Sequence, residues 1–222
     1  NSPRRQRQMC IRDSFSTLAA FAALKTDGTV VPWGHQNYGG RTTTTTARPE
    51  GMPSGLNGVK VIFSNYFSFV ALKTDDTAVA WGHSTRGGNS NYPAATTLTN
   101  IKTVESTGRG FAVLKNNGTV QAWGQYIGND GGTGVPAGLS DVSSIYSTSS
   151  AFAALKTDGT VASWGRPGYG GNGVPAGLTG VKSIHSTSRA FAALKTDGTV
   201  AAWGDSDLSL IHISEPTRHH AI

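Results

Sequence analysis

The sequence predicts an all-β fold built from tandem copies of one strand–turn–strand unit. Five segments share a Phe-containing strand, a tight turn and a second strand that closes on Trp-Gly, and successive tryptophans lie 48, 42, 41 and 39 residues apart. Such regular recurrence indicates one supersecondary unit used repeatedly. Apolar residues alternate with a period of two in these segments, which favours strands over helices. The recurring tryptophans are Trp33, Trp81, Trp123, Trp164 and Trp203.

The hairpin is clearest in the last copy, over residues 190–204. Two alternating segments flank Thr-Asp-Gly, and a glycine there adopts the positive φ of a short hairpin turn at little cost. The second copy has Asp76 where the other copies have glycine. Aspartate tolerates this conformation at a cost of about 1 kcal/mol, so we expect the hairpin to form there too.

Each hairpin is preceded by a further strand and followed by a proline-containing segment. Residues 180–185 and 141–146 show the preceding strand, and residues 173–178 and 134–139 show the Val-Pro-Ala-Gly-Leu segment. Proline cannot donate to a strand ladder, so this segment belongs at a sheet edge. We therefore expect three clear strands and a marginal fourth in each repeat.

A sheet of about 40 residues that is apolar on both faces cannot bury itself, so it must stack on copies of itself. We expect the alanine-rich second strand to lie in the crowded inner part of a radial arrangement, with Phe, Leu and Trp filling gaps of roughly 10 Å between sheets. This pattern predicts a β-propeller. A linear β-solenoid is the alternative, although solenoid coils are usually shorter and lack the internal hairpin.

The repeat also resembles a known family. The succession Val-Pro-Ala-Gly-Leu, Gly-Val-Lys-Ser-Ile and Phe-Ala-Ala-Leu-Lys-Thr-Asp-Gly-Thr-Val-Ala-Ala-Trp-Gly over residues 174–204 is similar to the repeat of the regulator of chromosome condensation superfamily. It is most similar to the shorter bacterial type typified by β-lactamase inhibitor protein II. The resemblance covers residues 15–207 and implies a partial, open β-propeller of about four to five blades, a fragment of a seven-bladed one.

The two ends do not follow the repeat. Residues 4–14 and 208–218 resemble the conceptual translation of a transposon-based sequencing adapter in its two orientations. We therefore expect residues 1–14 and 208–222 to be adapter-derived, and residues 15–207 to form the propeller fragment. The net charge of +6 then falls to +3, and Cys10, the only cysteine, leaves the repeat region. The basic composition therefore does not indicate nucleic-acid binding.

Function is expected where the repeats differ. The loop between the first strand and the Phe strand varies most, and aromatic and arginine side chains dominate protein interfaces. The predicted partner-binding residues are Phe63, Tyr66, Phe67, Glu105, Arg109, Tyr146, His185 and Arg189. A second variable set follows each Trp-Gly and is expected to share this face. It consists of His35, His83, Gln125, Arg166 and Asp205.

The sequence favours a non-enzymatic protein-binding propeller, and two alternatives remain. A carbohydrate-binding propeller would stack sugars on Tyr38, Tyr126 and Tyr169, and a nucleotide-exchange or chromatin-binding propeller is implied only by the family resemblance. Neither His35 with His83 nor Glu105 with His185 forms a recognisable metal-binding or acid-base pattern in the sequence, and no cofactor is expected. We expect no nucleic-acid partner and no membrane insertion. The Ser-, Thr-, Asn- and Gly-rich composition suggests an extracellular or cell-surface protein of bacterial origin.

Overall fold

A computed structural model of the chain describes residues 10–43, 51–88, 98–127 and 132–205. Most of the two end segments predicted to be adapter-derived lie outside the described residues. The boundary at residue 14 therefore stays a prediction.

Each repeat forms a three-stranded antiparallel sheet, here called blades 1 to 5, with its strands side by side in chain order. The first strands are β1 (Ile11–Ser16), β6 (Val59–Ser64), β9 (Ile101–Ser106), β12 (Val142–Ser147) and β15 (Val181–Ser186). The second strands are β2 (Ala20–Lys25), β7 (Ser68–Lys73), β10 (Gly110–Lys115), β13 (Ala151–Lys156) and β16 (Ala190–Lys195). The third strands are β3 (Val30–Gly34), β8 (Ala78–Gly82), β11 (Val120–Gly124), β14 (Val161–Gly165) and β17 (Val200–Gly204). A short parallel pair, β4 (Thr42–Thr43) with β5 (Met52–Pro53), lies between blades 1 and 2 in the sequence.

The hairpins form as the sequence predicts. Within each one, the Phe of the second strand lies opposite the Trp of the third, and the two rings stack or tilt against each other at 5.2–5.8 Å. The exceptional Asp76 has φ 58°, close to the φ 77° of Gly28 at the equivalent position, and its N–H donates to the Lys73 carbonyl at 3.1 Å. The prediction for this turn is therefore confirmed.

The first strands, and not the alanine-rich second strands, lie nearest the axis. β1 contacts β6, β6 contacts β9, β9 contacts β12 and β12 contacts β15. The expectation that the second strand is innermost is wrong, because that strand is the middle one of each sheet. In blades 2 to 4 neighbouring blades cover this strand on both faces, which favours small side chains such as alanine.

Apolar layers between successive blades form the core. Ala20, Ala22 and Leu24 of β2 pack against Phe69 and Trp81 of blade 2, and all five are fully buried. Because side chains alternate along a strand, one face of the second strand meets the preceding blade and the other meets the following one. Three equivalent layers join the remaining blades.

A polar contact also joins neighbouring blades. The indole N–H of Trp81 donates to the carbonyl of Gly39 at 3.2 Å, and that of Trp123 donates to Gly87 at 3.0 Å. Gly39 and Gly87 end short 3₁₀ helices in the left-handed conformation. These helices are η1 (Gln36–Tyr38), η2 (Ser84–Arg86) and η3 (Pro167–Tyr169).

The proline-containing segment is not a fourth strand in blades 3 and 4. After residues 135 and 174 the chain makes a turn, in which the Leu139 N–H donates to the Pro136 carbonyl and Leu178 to Pro175. The apolar residues of the segment instead cover the core layers from the side. The five blades are thus three-stranded sheets, stacked as an all-β, open partial propeller.

Candidate binding surface

Each blade has two ends with different chemistry. At one end, here called the turn face, lie the Asp-Gly hairpins between the second and third strands. At the other end, here called the loop face, lie the loops between the first and second strands, together with the segments that follow Trp-Gly. These loops are residues 17–19, 65–67, 107–109, 148–150 and 187–189.

The turn face presents local ion pairs and Asp–Thr turns. In blade 1 the Asp27 carboxylate accepts hydrogen bonds from the Thr29 hydroxyl at 2.6 Å and backbone N–H at 2.9 Å, and pairs with Lys25 at 3.1 Å. The Thr29 bonds, followed by Lys25, lower the pKa of Asp27 from 3.8 to about 2. The same contacts lower the pKa values of Asp75, Asp158 and Asp197. Repetition in four blades indicates that this arrangement stabilises the hairpin and is not a specific site.

On the loop face, backbone hydrogen bonds link the loops of all five blades. The N–H of Leu18 donates to the carbonyl of Tyr66, and the N–H of Tyr66 donates to that of Gly108. Gly108 donates in turn to Ser149, and Ser149 to Ser188. This continuous arc fixes the loops relative to one another. Together with the ends of the first strands, the arc lines a cavity of about 560 Å³, mainly through serine and threonine residues.

Four of the predicted partner-binding residues lie together on this face. Tyr66, Phe67, Arg109 and Arg189 line one groove of about 500 Å³, which Tyr126, Arg166 and Tyr169 also line. The Tyr66 side chain is 54% exposed, whereas Phe67 is buried beneath it with its ring 6.4 Å away. The groove therefore contains the exposed ring of Tyr66 next to the buried ring of Phe67.

The other four predicted residues lie on first strands, closer to the axis. Phe63 and Tyr146 are half-buried and pack on the core layers. His185 is exposed on β15. Glu105 is half-buried and accepts a hydrogen bond from the Ser147 hydroxyl at 3.2 Å, and burial raises its pKa despite this bond. The structure does not place these four in the groove, and their role in partner binding stays a prediction.

The second variable set lies beside the first, on the same face. Arg109 donates to the Gln125 side chain at 3.1 Å, and Arg189 pairs with Asp205 at 3.3 Å. The rings of Phe67 and His83 meet edge to face at 6.0 Å. Both variable sets therefore contribute to one surface.

A series of arginine and aromatic side chains along the groove is not evident from the sequence. Arg86 was not singled out, and Tyr126 and Tyr169 were considered only as sugar-stacking residues. The sequence feature that could have identified them is the Trp-Gly motif, because Arg86, Tyr126 and Tyr169 follow it by two to four positions. We call this series the arginine ladder; it consists of Arg86, Phe67, Arg109, Tyr126, Arg166, Tyr169 and Arg189.

Within the described ranges, no group of three His, Cys, Asp or Glu residues is arranged to hold a metal ion. No helix among those residues is long and apolar enough to cross a membrane.

Solved structures similar to this chain have propeller folds. Prp20p of Saccharomyces cerevisiae, the yeast RCC1, aligns with a TM-score of 0.55 and 19% identity, over 88% of this chain and 57% of that one. Human WBSCR16 aligns with a TM-score of 0.54 and 17% identity, over 87% and 61%. The ectodomain of the Physcomitrella patens receptor kinase CR4 aligns with a TM-score of 0.52 and 17% identity, over 86% and 49%. At these identities the likeness establishes the propeller fold alone, and this chain spans about half to three-fifths of each of these proteins.

No family model matches the sequence, and no curated protein sequence is similar to it.

Proposed function

We propose that this chain is a non-enzymatic propeller module that binds a partner protein through its loop face. The observation on which the proposal depends is the groove, where aromatic and arginine side chains from several blades converge on loops joined by backbone hydrogen bonds. Aromatic and arginine residues are enriched among the residues that contribute most to protein–protein affinity. The loops differ more between blades than the second and third strands do, as expected of a scaffold that presents a varied surface.

The fold comparison supports the same proposal. The structure of Prp20p was described together with its binding to Gsp1p and histones. A protein partner for this chain is thus in keeping with its fold, although the fold alone does not identify that partner. The similarity to the β-lactamase inhibitor protein II type, and a location outside the cell or on its surface, are further parts of the proposal.

The experiment compares partner capture by the full chain and by three variants. Tyr66→Ala removes an exposed aromatic ring from the groove, and Arg109→Ala removes the cation beside Phe67. Lys115→Gln is the matched control, because Lys115 ends β10 at the turn face of blade 3, the blade that contributes Arg109. We expect one defined partner to be retained by the wild type and by Lys115→Gln, and to be lost with both loop-face variants. Retention by both loop-face variants would contradict the proposal.

A carbohydrate ligand is tested in parallel on a glycan array. The Tyr126 and Tyr169 rings already lie 5.0–5.6 Å from arginine guanidinium groups, which leaves them poorly placed to stack on sugars. We therefore expect no glycan signal that depends on these rings. A signal abolished by Tyr126→Ala and by Tyr169→Ala would replace the protein-binding proposal with a lectin.

A further inference from the structure

Arginine and aromatic side chains alternate along the arginine ladder over four blades. The Phe67 ring lies 4.1 Å from the guanidinium carbon of Arg86 and 5.9 Å from that of Arg109. The Tyr126 ring lies 5.5 Å from Arg109 and 5.3 Å from Arg166. The series ends at Tyr169, whose ring centroid is 5.0 Å from Arg166 and 5.6 Å from Arg189. Each ring is thus within cation–π distance of two guanidinium groups.

Buried polar groups hold parts of the ladder in place. The Asn65 side chain is buried and donates to the backbone carbonyl of Arg86 at 2.9 Å. In blade 4, the buried Thr148 hydroxyl donates to the carbonyl of Tyr169 at 3.0 Å. Arg109 donates to the Tyr126 hydroxyl at 3.0 Å. These bonds hold the backbone at Arg86 and Tyr169 and the side chain of Arg109, which lowers the entropic cost of ordering them on binding.

Among the described residues, few acidic side chains pair with the ladder. In the part of the chain that the structure describes, one ion pair involves it, that of Arg189 with Asp205. The eight lysines all lie near the turn face, at the end of a second strand or the beginning of a first strand. They are Lys25, Lys60, Lys73, Lys102, Lys115, Lys156, Lys182 and Lys195. The arginines of the ladder thus lie at one end of the blades and the lysines at the other, where Lys25, Lys73, Lys156 and Lys195 pair with aspartates.

Stacking leaves the hydrogen-bonding capacity of a guanidinium group intact. The group contacts a ring through its planar face, whereas its five N–H donors point outward in the plane, in a fork that fits a carboxylate. Lysine has no such planar face, which explains why a cationic surface that also packs on aromatic rings uses arginine. The chemistry that fits the ladder is a row of carboxylates.

We propose that the arginine ladder binds an acidic segment of the partner protein, with the guanidinium groups of Arg86, Arg109 and Arg166 donating to Asp or Glu carboxylates. This inference rests on the proposed protein-binding function and specifies the chemistry of the partner. An acidic polypeptide fits better than a nucleic acid, since the ladder rings are already in contact with guanidinium groups and are not available to stack on bases. The exposed Tyr66 beside the ladder provides an apolar contact of the kind found in protein interfaces.

The test measures binding of a fluorescein-labelled oligo-glutamate peptide to the full chain by fluorescence anisotropy. An oligo-glutamine peptide of equal length and a thymidine oligonucleotide of matched charge serve as comparison probes. We expect the glutamate peptide to bind more tightly than either probe. We expect Arg166→Gln, which removes an exposed guanidinium group, to weaken its binding about fivefold. Lys115→Gln removes the same charge from the turn face and is expected to leave binding unchanged, and equal melting temperatures confirm that both variants fold.

Three results would overturn the inference. The first is equal binding of the glutamate and glutamine peptides, the second is tighter binding of the oligonucleotide, and the third is equal weakening by Arg166→Gln and Lys115→Gln. If the Tyr66-dependent capture of a partner is found while the glutamate peptide does not bind, the protein-binding function stands and only the acidic nature of the partner is wrong.

Discussion

Blades 1 and 2 contain the same Phe–Trp pair in different surroundings. Phe21 and Trp33 stack at 5.3 Å but are 46% and 43% exposed, whereas Phe69 and Trp81 stack at 5.2 Å and are fully buried. The pairing of the two rings thus arises within one hairpin. The burial of Phe69 and Trp81 comes from packing against blade 1, which precedes them. The sequence of one blade therefore determines its local structure, whereas packing against the neighbouring blade stabilises it, as in other repeat proteins.

The strongest test of this comparison truncates the two tryptophans. Trp81→Ala removes a fully buried ring together with its hydrogen bond to Gly39, so we expect a loss of about 3–5 kcal/mol in the free energy of unfolding. Trp33→Ala removes a half-exposed ring that stacks only on its own hairpin partner, so a loss of about 1 kcal/mol is expected. Urea denaturation followed by circular dichroism measures both. Similar losses in the two variants would refute the dependence on the neighbouring blade.

A smaller effect is expected at the glycine that receives the Trp81 indole. Gly39 has φ +87°, and a Cβ there would lie 2.7 Å from Cδ1 of Trp81, whereas Gly55 has φ +75° and open space around it. Gly55→Ala should therefore cost only the backbone strain, about 1 kcal/mol. Gly39→Ala adds an overpacking cost of about 1–3 kcal/mol. Thermal unfolding compares the two, and equal melting temperatures would show that the contact between blades 1 and 2 is loose.

The repeat made much of the fold predictable from the sequence. The Phe–Trp register and the turn at Asp76 follow from local rules that act inside one hairpin. The order of strands around the axis did not follow, because alternation assigns residues to faces but does not say which strand is innermost. Small side chains such as alanine indicate close packing, which predicts a position near the axis. The middle strand of a sheet that lies between two other sheets is packed just as closely.

The candidate surface was predictable only in part. Variable loops pointed to Tyr66, Phe67, Arg109 and Arg189, which line the groove. Phe63 belongs to the same variable segment, but as a first-strand residue it packs on the core layer between blades 2 and 3. Sequence variation alone does not distinguish a strand position from a loop position.

The arginine ladder was harder to predict, because its members occur at different distances from Trp-Gly. Tyr126 lies two residues after Gly124 and has φ 67°, whereas Tyr169 lies four residues after Gly165 and ends η3. These different backbone paths nevertheless bring both rings beside Arg166. Such convergence depends on the three-dimensional course of each loop and leaves no fixed spacing in the sequence.

We expect the smallest effect at the hairpin turns, where the same kinds of contact lower the pKa of an aspartate in blades 1 and 2. In both, the depressed pKa of the aspartate arises within the repeat, from Thr29 on Asp27 and from Thr77 on Asp75. A carboxylate whose pKa is lower in the folded than in the unfolded state stabilises the fold at pH values above the unfolded pKa, here 3.8. That contribution is lost as the pH falls through the folded pKa, which is about 2 for Asp27. The loss should be small, since these carboxylates are exposed.

Amide chemical shifts measured by NMR from pH 5 downward provide the measurement. The Thr29 amide donates to Asp27 at 2.9 Å and should titrate with a midpoint near 2, and the Thr77 amide should likewise titrate well below the ordinary aspartate value of 3.8. The Thr119 amide is the internal control, because it donates to the uncharged Asn117 at 3.1 Å and should show no such titration. A Thr29 midpoint near 3.8 would mean that the turn does not hold its carboxylate. A clear difference between Thr29 and Thr77 would mean that the two turns are not equivalent, and Asp76, which replaces the glycine of the other turns, would be the first residue to test.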